Sequence, residues 1–182
     1  LNESKKAAKM NFLSEWVLGL VKDEDLHKKL HEFNINVKTE GMYIIVLLCI
    51  NKNTNVNSIV ELNNTFELFD EKGFIKNSLF ILERQKTHEI IICLEKDNST
   101  FDTVNDLVSC IKEKCGKNII VGAGQQCTPL NLNVSYTQAK EAIKHQIFWN
   151  DYHLFLYSEV HKLQESFMEK ANEFLLNIDY FS

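Results

Sequence analysis

The chain has 182 residues, 45% of them apolar and 25% charged, and a formal net charge of −5. That length supports a real core in one domain with helical extensions, and the acidic balance argues against a broad electrostatic footprint for nucleic acid. No signal-peptide pattern opens the sequence, and its longest apolar run, Met42 to Ile50, is too short to span a bilayer, so no membrane contact and a cytoplasmic location are expected.

In chain order, Met10, Leu13, Val17 and Leu20 recur at spacings of three and four between Ser4 and Val21, which predicts a helix with one apolar stripe of heptad character. Phe12 and Trp16 form a second patch on another side. A helix with two apolar sides touches two things, so these six residues are the candidate interaction surface, with burial of both sides in the chain's own fold as the alternative. Asp23, Glu24 and Asp25 supply acids before a second short helix that runs to Phe33, with Leu26, Leu30 and Phe33 on one face.

Met42 to Ile50 is apolar almost throughout, which marks a central strand covered on both faces. Ile59, Leu62, Phe66 and Phe69 then take up a helical spacing that Gly73 closes. Ser78 to Glu83 and Glu89 to Leu94 read as a hairpin around a glycine-free turn, and Phe101 to Cys115 as a helix stopped by Gly116.

Ile119 to Val121 reads as a strand that opens into Gly122, Ala123 and Gly124, crosses a loop holding the lone proline, Pro129, and enters an amphipathic helix. Ala139 and Ala142 lie three apart beside Tyr136 and Ile143, and small residues there let a helix lie close to a sheet. Gly122 and Gly124 are weak candidates for a ligand cleft or phosphate cradle. A lone G-x-G without a third glycine or a following lysine favours a turn or packing role. A strand from His153 to Tyr157 and a last helix with Val160, Leu163, Phe167, Ala171, Phe174 and Ile178 on one side complete the chain.

Cys49, Cys93, Cys110, Cys115 and Cys127 make an odd set with no C-x-x-C. They read as reduced thiols, with no metal site expected. His27 and His31 lie four apart on one helix but lack a third ligand at a diagnostic spacing. His88 beside Glu89, and His145 and His153 near Asp151, have no recognisable nucleophile partner.

Ser135-Tyr136-Thr137-Gln138-Ala139-Lys140-Glu141-Ala142-Ile143 resembles the "SYxxAxxAL" segment of the degenerate GGDEF-like domain found in AraC-type response regulators and in sugar-diacid and purine-catabolism regulators. Val121-Gly122-Ala123-Gly124 matches the strand that precedes it in that family, and His153-Leu154-Phe155-Leu156-Tyr157 the strand that follows. The resemblance and the element order together imply an α+β fold of ferredoxin-like or GGDEF-like type, an antiparallel sheet with covering helices. Residues 1–38 are expected to be connecting helices, 39–158 the GGDEF-like domain, and 159–182 a helix leading to a DNA-binding domain.

In active members of that family, two acids hold metal ions against a nucleoside triphosphate. The matching hairpin residues here are Lys86, Thr87, His88 and Glu89, and the end of the first strand carries Asn51 rather than a carboxylate. One glutamate cannot supply the anionic oxygens that two bridging cations need, so no enzyme activity and no cofactor are expected. The implied function is regulatory: signal transmission and oligomerisation within a bacterial two-component-type transcription regulator. Its partners would be the chain's own receiver or sensor and DNA-binding domains, with a weak homodimer and no direct nucleic-acid contact by this segment. The alternatives are a small-molecule or nucleotide sensor and, residually, a diguanylate-cyclase-like enzyme.

Overall fold

The computed structural model describes residues 3–38, 40–50, 78–84, 87, 89–96, 102, 104–109, 119–145 and 154–179. Helices α1 (Glu3–Val17) and α2 (Asp23–Glu32) lead into strands β1 (Tyr43–Ile50), β2 (Ser78–Arg84), β3 (Glu89–Glu95) and β4 (Ile119–Ala123). A 3₁₀ turn (Pro129–Asn131), helix α3 (Leu132–Lys144), strand β5 (Leu154–Leu156) and helix α4 (Tyr157–Asp179) follow. The helix expected between Val56 and Phe69 lies outside the described residues. Of the one expected from Phe101, residues 104–109 are helical.

The fold is α+β, built on a five-stranded sheet in the order β2-β3-β1-β4-β5. β1 is antiparallel to both its neighbours, β3 and β4, and β2 is antiparallel to β3. The sheet is mixed rather than wholly antiparallel, because β5 pairs parallel to β4. The cause is α3, which carries the chain back to the end of the sheet where β4 began, so the next strand must run the same way.

The alternation of β1 decides what lies on each face. Tyr43, Ile45 and Leu47 pack into one cluster with Phe12, Leu13, Trp16 and Val17 of α1, Leu26 and Leu30 of α2, and Leu132, Tyr136 and Ala139 of α3. Ile44, Val46 and Leu48 point the other way, onto Val104, Leu107 and Val108. β1 is therefore covered on both faces, and its near-continuous apolar run has that cause.

The first helix departs from the expected two-sided arrangement. Phe12, Leu13, Trp16 and Val17 are all at most 4% exposed, in the same core, and Met10 is half-buried against it. Phe12 stacks between Trp16 and Phe33, at 5.8 and 5.4 Å between ring centroids, and Trp16 Nε1 donates to the Pro129 carbonyl at 2.9 Å. The two patches thus form one broad apolar face. Leu20 would have continued it, but α1 ends at Val17, Gly19 takes a φ of +72°, and Leu20 leaves the helical register to stand 69% exposed. At the start of α2 the N-cap is Lys22 without a side-chain cap, so Asp23, Glu24 and Asp25 act there only as first-turn charges.

Candidate functional site

The first turn of α3 is where helix, sheet and hairpin are tied together. Ser135 and Tyr136 are adjacent, so on a helix they point about 100° apart and reach different places.

Ser135 reaches the seam between β1 and β4. Pairing advances from Val46–Ala123 to Tyr43–Cys127, so three residues of β1 span against four of the facing chain, a one-residue bulge. The Gly124 N–H still donates to the Ile45 carbonyl at 3.0 Å, and Tyr43 and Cys127 exchange two bonds of 2.8 Å. Between these rungs the Ile45 N–H has lost its strand partner. The fully buried Ser135 hydroxyl accepts from it at 3.0 Å and donates onward to the Gln125 carbonyl at 2.8 Å.

Tyr136 reaches the hairpin end of the sheet. Its hydroxyl donates to Glu89 Oε2 at 3.1 Å and accepts from Arg84 at 2.8 Å. Arg84 pairs with the same carboxylate oxygen at 3.2 Å, and the Thr87 hydroxyl donates to it at 2.8 Å. Glu89 is 8% exposed. One carboxylate oxygen thus accepts from three donors, each supplied by a different part of the hairpin or by α3, which satisfies the buried acid. Burial, followed by the charge of Glu89, pushes the Tyr136 phenol up from 10.0 to about 12.

Gly122 and Gly124 serve this same contact. A β-carbon at Gly122 would run into the Ala139 carbonyl and stand 2.6 Å from Ile143 Cγ1, and one at Gly124 would strike the Ser135 carbonyl and its hydroxyl. Neither has positive φ, so close approach of α3 is the reason for glycine at both. The faces without side chains look at the helix, as a packing role requires.

Lys86, His88, Asn51, His153, Cys110 and Cys115 lie outside the described residues. Cys93 and Cys127 are buried free thiols, and Cys49 is half-buried. Burial raises Cys93 well above the usual thiol range and Cys127 to about 11, which disfavours the thiolate that metal binding or nucleophilic chemistry needs. His27 and His31 are exposed on α2, His145 bonds to Gln164 at 2.9 Å, and no cluster of three metal-ligating residue types occurs among the described residues. None of the described helices is long and apolar enough to cross a membrane.

No protein-family model matches the chain, and no curated protein matches it. Two features escaped the sequence: the convergence of Arg84, Thr87 and Tyr136 on Glu89, and the part Ser135 plays in the sheet ladder. The signal for the first was the placement of an acid and a base on either side of a glycine-free turn, with a tyrosine on a facing helix.

Proposed function

We propose that the chain is a non-catalytic regulatory domain of the degenerate GGDEF-like kind, acting between a sensor and the DNA-binding part of a bacterial transcription regulator. The observation that carries this reading is Glu89. It is the one acid left at the hairpin where the cyclase motif would stand, and Arg84, Thr87 and Tyr136 converge on it. A carboxylate held by a guanidinium and two hydroxyls is a structural anchor, and two hard cations bridging phosphates need several free anionic oxygens.

The strand order supports the same reading. β1 and β2 run alike with β3 antiparallel between them, and β3 and β4 run alike with β1 between them. That is the interleaved arrangement of a split βαβ sheet. The long helix α4 supports a transmitting role, since it leaves β5 without an intervening residue and exposes Leu163, Phe167 and Met168 at 43, 65 and 67%.

Two measurements test the proposal. Incubation with GTP and Mn²⁺ is expected to give no cyclic dinucleotide and no pyrophosphate above a protein-free control, and product formation overturns the non-catalytic reading. In the regulator that carries this domain, Leu163→Glu with Phe167→Glu is expected to change transcriptional output at unchanged protein level. Unchanged output removes α4 from transmission.

A further inference from the structure

At the end of the sheet opposite the hairpin, where β1 begins and β4 leaves the ladder, lies a pocket of about 400 Å³. Its floor is apolar, made by Ile44, Val104, Ala123 and Leu156. Its rim is polar, made by Lys96, the Gly124–Gln126 bulge and Ser158 in the first turn of α4. An apolar floor with a few convergent polar groups is the usual build of a small-molecule site.

The rim groups differ in how far the protein already uses them. Gln125 is committed to α3: its N–H and side chain bond Gln138 at 2.9 and 3.2 Å, and its carbonyl accepts from Ser135. Lys96 Nζ, by contrast, donates to the neutral Gln126 Oε1 at 2.7 Å, and none of the ion pairs among the described residues includes it. Lys38, one strand-end away, takes Glu95, the acid that precedes Lys96. Gln126 keeps its amide donors, and Ser158 its hydroxyl, without a partner among the described residues. Among the described residues the rim therefore offers one ammonium, one amide group and one hydroxyl, and no acid.

We propose that this pocket binds a small monocarboxylate with an apolar body, its carboxylate on Lys96, Gln126 and Ser158 and its body on Ile44, Val104 and Leu156. A single cation suits one negative charge, whereas a di- or triphosphate carries more than the rim can neutralise. The volume suits a compact acid with one ring or a branched chain rather than a nucleotide. The bulge supplies the opening: the residue that β4 gains there turns Gln126 out toward Lys96. The proposal stands apart from the regulatory reading, since it names a site and a ligand class that any soluble role could use.

The test is a titration of the ¹⁵N-labelled protein with phenylacetate, and separately with its neutral analogue phenylacetamide, followed by amide chemical shifts. Saturable shifts at Lys96, Gln126, Leu156 and Ser158, below about 10 mM phenylacetate, with at least tenfold weaker binding of the amide, are expected. Lys96→Gln should weaken phenylacetate binding about tenfold or more, while Lys96→Arg retains it. Both variants alter an exposed residue, so their spectra report that the fold is intact. No saturable shift with either probe overturns the proposal. Equal binding of acid and amide, or binding untouched by Lys96→Gln, removes the carboxylate assignment.

Discussion

The Ser135 hydroxyl stands 3.0 Å from the Ile45 N–H, filling the rung that the β4 bulge leaves open in the sheet. A side chain from a helix completes a strand ladder here, at a fully buried site. Ser135→Ala removes the acceptor and leaves a buried N–H unsatisfied, with an expected loss of about 1–3 kcal/mol. Urea denaturation of parent and variant measures it. A midpoint unchanged by the substitution shows that Ile45 finds another acceptor.

Tyr136→Phe separates the hairpin anchor from packing, since only the hydroxyl is lost. Glu89 then loses one of three donors, and the expected destabilisation at neutral pH is about 1–2 kcal/mol. The pH dependence has a definite sign. The phenol titrates at 10.0 when free and at about 12 in the fold, so the fold favours its neutral form. That contribution is complete below pH 10 and is lost as pH rises toward 12. The stability gap between parent and Tyr136→Phe should therefore shrink between pH 10 and about 12, and a gap constant over that range contradicts the assignment.

Gly122→Ala and Ala139→Leu both push α3 away from β4. Added atoms at Gly122 meet a backbone carbonyl, which cannot rotate aside, and Ala139 is fully buried. Each should cost about 1–3 kcal/mol or more through overpacking. Their combination should cost less than the sum, because one displacement of the helix relieves both. Additive losses would mean that the two positions press on separate surfaces.

Substitutions on the two terminal helices should behave in opposite ways. Leu13→Glu or Val17→Glu places a charge in a site at most 2% exposed and should unfold the domain, whereas Leu163→Glu with Phe167→Glu should leave the melting temperature within a few degrees of the parent. Circular dichroism melts distinguish them. Any self-association lost on α4 substitution, read by sedimentation, places the contact on that helix, and a folded Leu13→Glu variant refutes the burial of α1.

Much of the strand and helix order was legible because each element carries a single period. β1 announces itself by an unbroken apolar run, and the hairpin pairs Arg84 with Glu89 across the turn that the sequence marks. Its limits were set by contacts between distant residues. The periodicity of α1 showed two apolar patches but not that both face one core, because that depends on where Phe33, Phe80 and Pro129 lie. The stripe through Leu20 failed because Gly19 ends the register first. The small residues of α3 were read as close packing from sequence and the pair of glycines as a turn or packing feature, but the rung formed by Ser135 needed the one-residue slip between Gly124 and Cys127, which leaves no compositional trace.

β5 passes into α4 at Leu156–Tyr157 with no residue between them, and the strand is held to β4 over only three residues. The helix therefore continues the edge strand as an arm, docked on α3 at its first turns by Val160 and by the bond of Gln164 to His145. Its 23 residues, at about 1.5 Å each, reach about 34 Å. A change of ~10° in the set of that short strand would sweep the far end through about 6 Å, an amplification of leverage whose cost in the core falls on the small cluster of Ile120, Ala142, Phe155 and Val160.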